Sequence, residues 1–203
     1  MAKIKYTKMA LKQERDSLAQ YTRFLPTLQL KKQQLQLEMR KCQEKIAANE
    51  ERERELFSSL TSWMRLFGNE EECRVLAEKV KVEKVDTEVL NIAGVEVPSY
   101  RDVTFQEREL DLFRSPLWYD DAIPALEKIV RIRTEREIIE KQYALIADEL
   151  RVTTQRVNLF EKVKIPECRE NIRVINIYLG DAFTGSVARS KIAKKKLQEV
   201  EEI

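Results

Sequence analysis

Steps of three and four residues from Leu11 visit Leu11, Glu14, Leu18, Tyr21, Leu25, Leu28, Lys32, Leu35, Met39, Cys42, Ile46, Asn49, Glu53, Leu56, Leu60, Trp63 and Phe67. Thirteen of these 17 positions are apolar or aromatic. The alternation averages 3.5 residues, which keeps one narrow stripe aimed at a partner helix. A helix of 57 residues would be about 85 Å long, too long for a compact core to cover. Pro26 falls inside the pattern, but the phase continues through it. It removes one backbone hydrogen bond and crowds the carbonyl of Thr22, so the pattern predicts a bend there and not an end. Outside the stripe, residues 50–55, Glu-Glu-Arg-Glu-Arg-Glu, read as a solvated face with i,i+4 pairs.

Gly68-Asn69 predicts a helix break. Glu70 to Leu76 can add one or two helical turns. From Val80 the period becomes two, through Val82 and Val85. Val89 to Ile92, Ala93-Gly94, then Val95 and Val97 read as a turn between two short strands, with Pro98 ending the second or placing it on an edge. The stretch 78–105 is thus a candidate β-hairpin, marginal alone and in need of a surface to pack on. Phe113, Leu117, Trp118 and Tyr119 form a local aromatic cluster. Asp120-Asp121 ahead of Ala122-Ile123-Pro124 predicts the capped start of a second long helix.

That second helix repeats the rhythm: Ile129, Ile132, Arg136, Ile139, Tyr143, Ile146, Leu150, Thr153, Val157 and Phe160. At Pro166 the register shifts by about four residues to Cys168, Ile172, Ile175, Leu179 and Ala182, the pattern of a stutter. Gly180 and Gly185 weaken helix persistence near the end. Two long helices about 55 residues apart must run antiparallel if they pair within one chain. Setting Phe67 level with Ile123 makes paired numbers sum to about 190, with Leu35 near Val157, Pro26 near Pro166 and both chain ends at one tip. The expected fold is mostly α: a long antiparallel two-helix coiled coil of 1–67 and 122–203, with a small α+β middle region, 68–121.

Composition supports long helices. Of 203 residues 35% are charged, while Gly and Pro number 4 and 5. Net charge is +2, so the chain is no polycation. No uninterrupted apolar run of about 18 residues and no signal-peptide pattern is present, which leads us to expect a cytoplasmic protein. Cys42, Cys73 and Cys168 are odd in number and far apart, and read as reduced thiols. Histidine is absent, which removes the commonest general base and metal ligand. Acid clusters such as Glu70-Glu71-Glu72 match no cation-binding loop. With no phosphate loop, nucleophile elbow or CxxC pair, no catalysis, cofactor or metal is expected.

The main electrostatic feature is basic. Lys3, Lys5, Lys8 and Lys12 lie near one end of the sequence, and Arg189, Lys191, Lys194, Lys195 and Lys196 near the other. These are either ordinary solvated ends or a contact for an acidic protein socket. No aromatic interleaving supports nucleic-acid binding.

The string Arg156-Val157-Asn158, Glu161, Ile165-Pro166, Asn171-Ile172 and Ile175 closely resembles the C-terminal signature of the D subunits of the V-type and A-type rotary ATPases. Leu11-Lys12, Leu28, Leu30-Lys31 and Leu35 resemble that family's leucine- and lysine-rich first helix. Pro26 and the Gly180–Gly185 stretch depart from the pattern. The resemblance implies a non-catalytic central rotor axle whose tip enters a ring of three catalytic and three noncatalytic subunits. Its lower part would join the central-stalk F subunit and the socket subunit above the membrane ring, on the membrane periphery but not in it. In the motif, Val157 and Phe160 are expected on the seam. Arg156, Asn158 and Glu161 are expected to face outward, toward neighbouring subunits or plain solvent. A free coiled-coil adaptor binding protein or nucleic acid is the alternative.

Overall fold

In the computed structural model, residues 5–60, 70–106, 116 and 118–201 are described. Trp63, Phe67, the Gly68-Asn69 break, Phe113 and Leu117 lie outside the described residues. The elements, in order, are α1 (Lys8–Leu60), α2 (Glu70–Lys79), β1 (Val82–Ile92), β2 (Val95–Phe105), α3 (Tyr119–Leu159), a π-helical turn (Phe160–Lys164) and α4 (Ile165–Glu201). They group into two compact units, residues 1–31 with 153–203, and residues 32–152.

Helix α1 starts on a side-chain cap: the Ala10 N–H donates to Thr7 Oγ1 at 3.2 Å. It runs through Pro26 without ending. Its predicted stripe is the covered stripe. From Leu11 to Leu60 every member is buried or half-buried, including the four polar ones. Sequence periodicity therefore places the seam residue by residue.

In the unit of 32–152, Leu35, Cys42, Val97, Ile139 and Ile146 make one buried cluster, flanked by Met39, Ile46, Ile92, Ala93, Val95, Tyr143 and Leu150. The long helices run antiparallel here: Gln43 donates to the Tyr143 hydroxyl at 3.3 Å, and Glu53 meets Arg133 and Arg136. The expected register would set Ala147 opposite Gln43, so the true pairing is about one helical turn away. Leu35 accordingly shares one cluster with Ile146 and Leu150. An apolar stripe repeats every turn, so hydrophobicity alone does not separate these registers.

The hairpin turns at Ala93-Gly94, as its sequence predicts. Both residues have positive φ, 51° and 81°, and the Gly94 N–H donates to Asn91 Oδ1 at 2.9 Å. Two left-handed residues give the tight turn whose twist suits paired strands. Pro98 does not end β2, which continues to Phe105 with Pro98 opposite Val89. In a two-stranded sheet each strand has an unpaired edge, which tolerates a residue without an N–H. The hairpin's packing surface is α3. Val97 and Val103 are buried, Gln142 Nε2 donates to the Pro98 carbonyl, and Arg131 pairs with Asp102 while lying 5.4 Å from the Phe105 ring centre. Helix α2 is longer than the turn or two expected; its Leu76 is buried with Tyr119, Ala122 and Ile123 at the start of α3.

In the unit of 1–31 with 153–203, α1 and α4 are again antiparallel. The Tyr6 and Tyr178 rings stack at 4.9 Å, Asn171 Nδ2 donates to Glu14 Oε1 at 3.2 Å, and the Tyr21 and Phe160 rings lie 5.0 Å apart. The four-residue stutter expected at Pro166 is corrected to a single extra residue. The seam passes from Phe160 to Ile165, then Cys168, Ile172, Ile175 and Leu179, all buried or half-buried; Ala182 is exposed. Five residues separate Phe160 from Ile165 where three or four would be regular. The π turn absorbs the surplus, with the Ile165 N–H donating to the Phe160 carbonyl, five residues back.

Helix α4 also continues through both glycines to Glu201. A Cβ on Gly180 would meet nothing within 4 Å. Gly180→Ala should therefore stabilise the fold by about 0.5–1 kcal/mol, through helix propensity alone. Chemical denaturation checks this, and a loss of stability would contradict it.

Candidate functional site

Polar side chains on the seam and on the exposed helix faces do different things. Glu53 is a seam position, not part of a solvated face as its run of charges suggests. Its carboxylate accepts from Arg133 Nε through one oxygen and from Arg136 through the other, each at 2.6 Å, with 12% of its side chain exposed. Chiefly the Arg133 hydrogen bond, then the charge of both arginines, hold its carboxyl below the usual carboxylate range against the opposing effect of burial. One turn earlier Asn49 is buried, its Oδ1 accepting from Arg52 at 3.3 Å. The rest of the run is as expected, with Arg54 pairing with Glu50 and Glu51 on the surface. The signal is present in the sequence: Asn49 and Glu53 are two of the four polar residues in the 3-4 stripe.

The motif residues divide as their spacing predicts. Val157 is buried and Phe160 half-buried against Tyr21, while Arg156, Asn158 and Glu161 are exposed. Asn171, by contrast, is turned inward to Glu14. Beside it Cys168 is buried, and its thiol is pushed up to about 11, first by burial and then by its hydrogen bond to Glu14. Burial likewise raises Cys42. Both thiols stay protonated at neutral pH, which suits packing and not nucleophilic attack.

Of the basic residues, Lys3 lies outside the described residues. Lys5 and Lys8 are exposed where α1 begins, and Arg189, Lys191, Lys194, Lys195 and Lys196 are exposed on the last third of α4. The two groups share one end of this unit but are staggered. Tyr6 stacks on Tyr178, and Arg189 comes 11 residues later, about 16 Å along the helix. From Asp181 to Gln198 every residue but Gly185 is exposed. No described helix is long and apolar enough to cross a membrane.

The sequence model of the ATP synthase D-subunit family matches residues 10–195, taking in both long helices, the hairpin and the motif. The chain belongs to this family. Similar curated proteins agree. The V-type ATP synthase D subunit of Borreliella burgdorferi is 42% identical over 197 residues, covering 97% of this chain and 96% of its own. That of Chlamydia felis is 33% identical over 201 residues, with 99% and 97% covered. That of Chlamydia muridarum is 36% identical over 207 residues, with 99% of each covered. Membership in the D-subunit family makes the chain a subunit of a rotary ATPase.

Proposed function

We propose that the chain is the central rotor axle of a V-type ATP synthase. It couples rotation of the membrane ion-conducting ring to ATP synthesis or hydrolysis in a hexamer of catalytic and noncatalytic subunits. The observation that carries this reading is a D-subunit family match running nearly the whole length of a chain built on long, antiparallel, zipped helices. Two helices locked by side chains over their length transmit torque better than one. The axle performs no chemistry. Its irregular features, Pro26, the π turn and the one-sided hairpin, make its faces unequal, so one rotor angle favours a different nucleotide state in each catalytic site. That is a shift of populations by differential contact.

In this reading the central-stalk F subunit and the socket subunit above the membrane ring hold the axle's lower part, and the complex places the chain at the cytoplasmic membrane periphery. Arg156, Asn158 and Glu161 contact neighbouring subunits. The exposed basic groups of α4, with Lys3, Lys5 and Lys8, ride in an acidic or hydrogen-bonding collar. Replacing Lys194, Lys195 and Lys196 together with Ala should lower hexamer assembly or the coupling of hydrolysis to rotation, by removing three charges from one stretch of helix. Wild-type torque and hexamer binding in that variant would reject the collar.

The experiment that tests the function is affinity purification of the tagged chain from its host. Rotary-ATPase catalytic subunits should co-purify in stoichiometric amount. Their absence would favour the free-adaptor alternative.

A further inference from the structure

We propose that the π turn Phe160–Lys164 is a torsional joint, the place where the packed part of the C-terminal helix twists most easily. Three observations converge on it. First, its backbone lacks one donor. Pro166 has no N–H, so the carbonyls that it would reach, Lys162 at α spacing and Glu161 at π spacing, receive no bond from it. Second, the turn is lightly packed. Glu161 and Lys162 are exposed, Val163 is 49% exposed, Lys164 pairs on the surface with Glu167, and Phe160 has one tilted ring contact to Tyr21. Third, an open groove of about 1170 Å³ runs beside it and on along the start of α4, lined by Tyr21, Lys162, Val163, Lys164 and Pro166, then by Cys168 and Asn171. The exposed side chains of the turn therefore border open space on that side.

The flanks are different. On one side Thr153 and Val157 are buried in the seam; on the other Ile165, Cys168 and Ile175 are buried, and Asn171 is tied to Glu14. Twist applied to the helix therefore collects where the resistance is least. The seam also requires the extra residue, because a continuous α-helix would rotate Ile165, Cys168, Ile172 and Ile175 off the covered stripe by about 100°. The surplus residue cannot be smoothed away, and Pro166 keeps it from spreading into α4. The mechanical use of the joint, storing twist between successive catalytic events, rests on the rotor reading. The softness itself does not.

The test uses the full chain alone, with the native cysteines replaced by Ala. Nitroxide labels at Arg156→Cys and Arg169→Cys span the joint. Labels at Lys128→Cys and Lys141→Cys, equally many residues apart on the packed helix α3, do not. Pulsed electron resonance should give a distance distribution at least about 1.5-fold broader for the spanning pair. Hydrogen exchange of amides 161–165 should be at least about tenfold faster than that of 153–159 and 171–177. Pro166→Ala restores one donor, and should narrow the first distribution and slow the exchange. Equal widths, equal exchange, or no response to Pro166→Ala would each overturn the joint. Those results would leave the rotor reading standing, because the isolated chain is not rotating; failure to co-purify with catalytic subunits would do the reverse.

Discussion

Leu35→Ala should destabilise the chain by about 3–4 kcal/mol in urea denaturation, while Leu37→Ala, two residues away, should cost less than about 0.5 kcal/mol. Leu35 is fully buried, in a cluster that draws on α1, α3 and the hairpin, through Val97. Truncation would leave a cavity that three rigid elements cannot readily close. Leu37 is 53% exposed and loses little by shortening. The comparison holds helix propensity and chemistry constant and changes only the side of the helix. Similar costs at the two positions would show that the seam is not where the 3.5-residue rhythm puts it.

Glu53→Ala should cost about 2 kcal/mol. Removing one member of a fully buried ion pair costs about 3–5 kcal/mol because a charge is left stranded. Here Arg133 keeps 55% of its side chain in solvent, and that screening lowers the cost. The pH dependence provides a separate check. The folded carboxyl binds its proton less readily than the unfolded one, whose ordinary value is about 4.3. Its stabilisation is therefore complete above that value and is lost as pH falls through the lower folded value. In Glu53→Gln the decline of stability below about pH 5 should be shallower than in the native chain. An unchanged acid limb would mean that Glu53 is not the carboxylate holding the two arginines.

These two positions also show what is legible in the sequence. The seam is readable because burial on a helix follows a period, and Leu35 falls on it. The hairpin turn is readable because Ala93-Gly94 interrupts two runs of period two. The motif's division into inward Val157 and Phe160 and outward Arg156, Asn158 and Glu161 follows from the same helical geometry. Glu53 reads as a surface residue because its charged neighbours outweigh its place on the stripe, and its partners lie 80 and 83 residues away. The register differs by about a turn from the expected one because one apolar stripe fits another at several offsets. What fixes it are specific contacts, Gln43 to Tyr143 and Glu53 to Arg133 and Arg136. The π turn shows in the sequence as a phase shift near Pro166, but its size depends on whether Ile165 counts as a seam residue. The hairpin's docking on α3 through Arg131 and Gln142 carries no local sequence signal, because each contact joins residues far apart in the chain.

The most direct measurement fixes the hexamer of the intact complex to a surface, attaches a gold bead to the chain through a cysteine at exposed Glu88, and supplies ATP. A rotor axle turns the bead in one direction, pausing at three evenly spaced angles. A bead that stays still while the same complexes hydrolyse ATP would show that the chain is a fixed part of the enzyme.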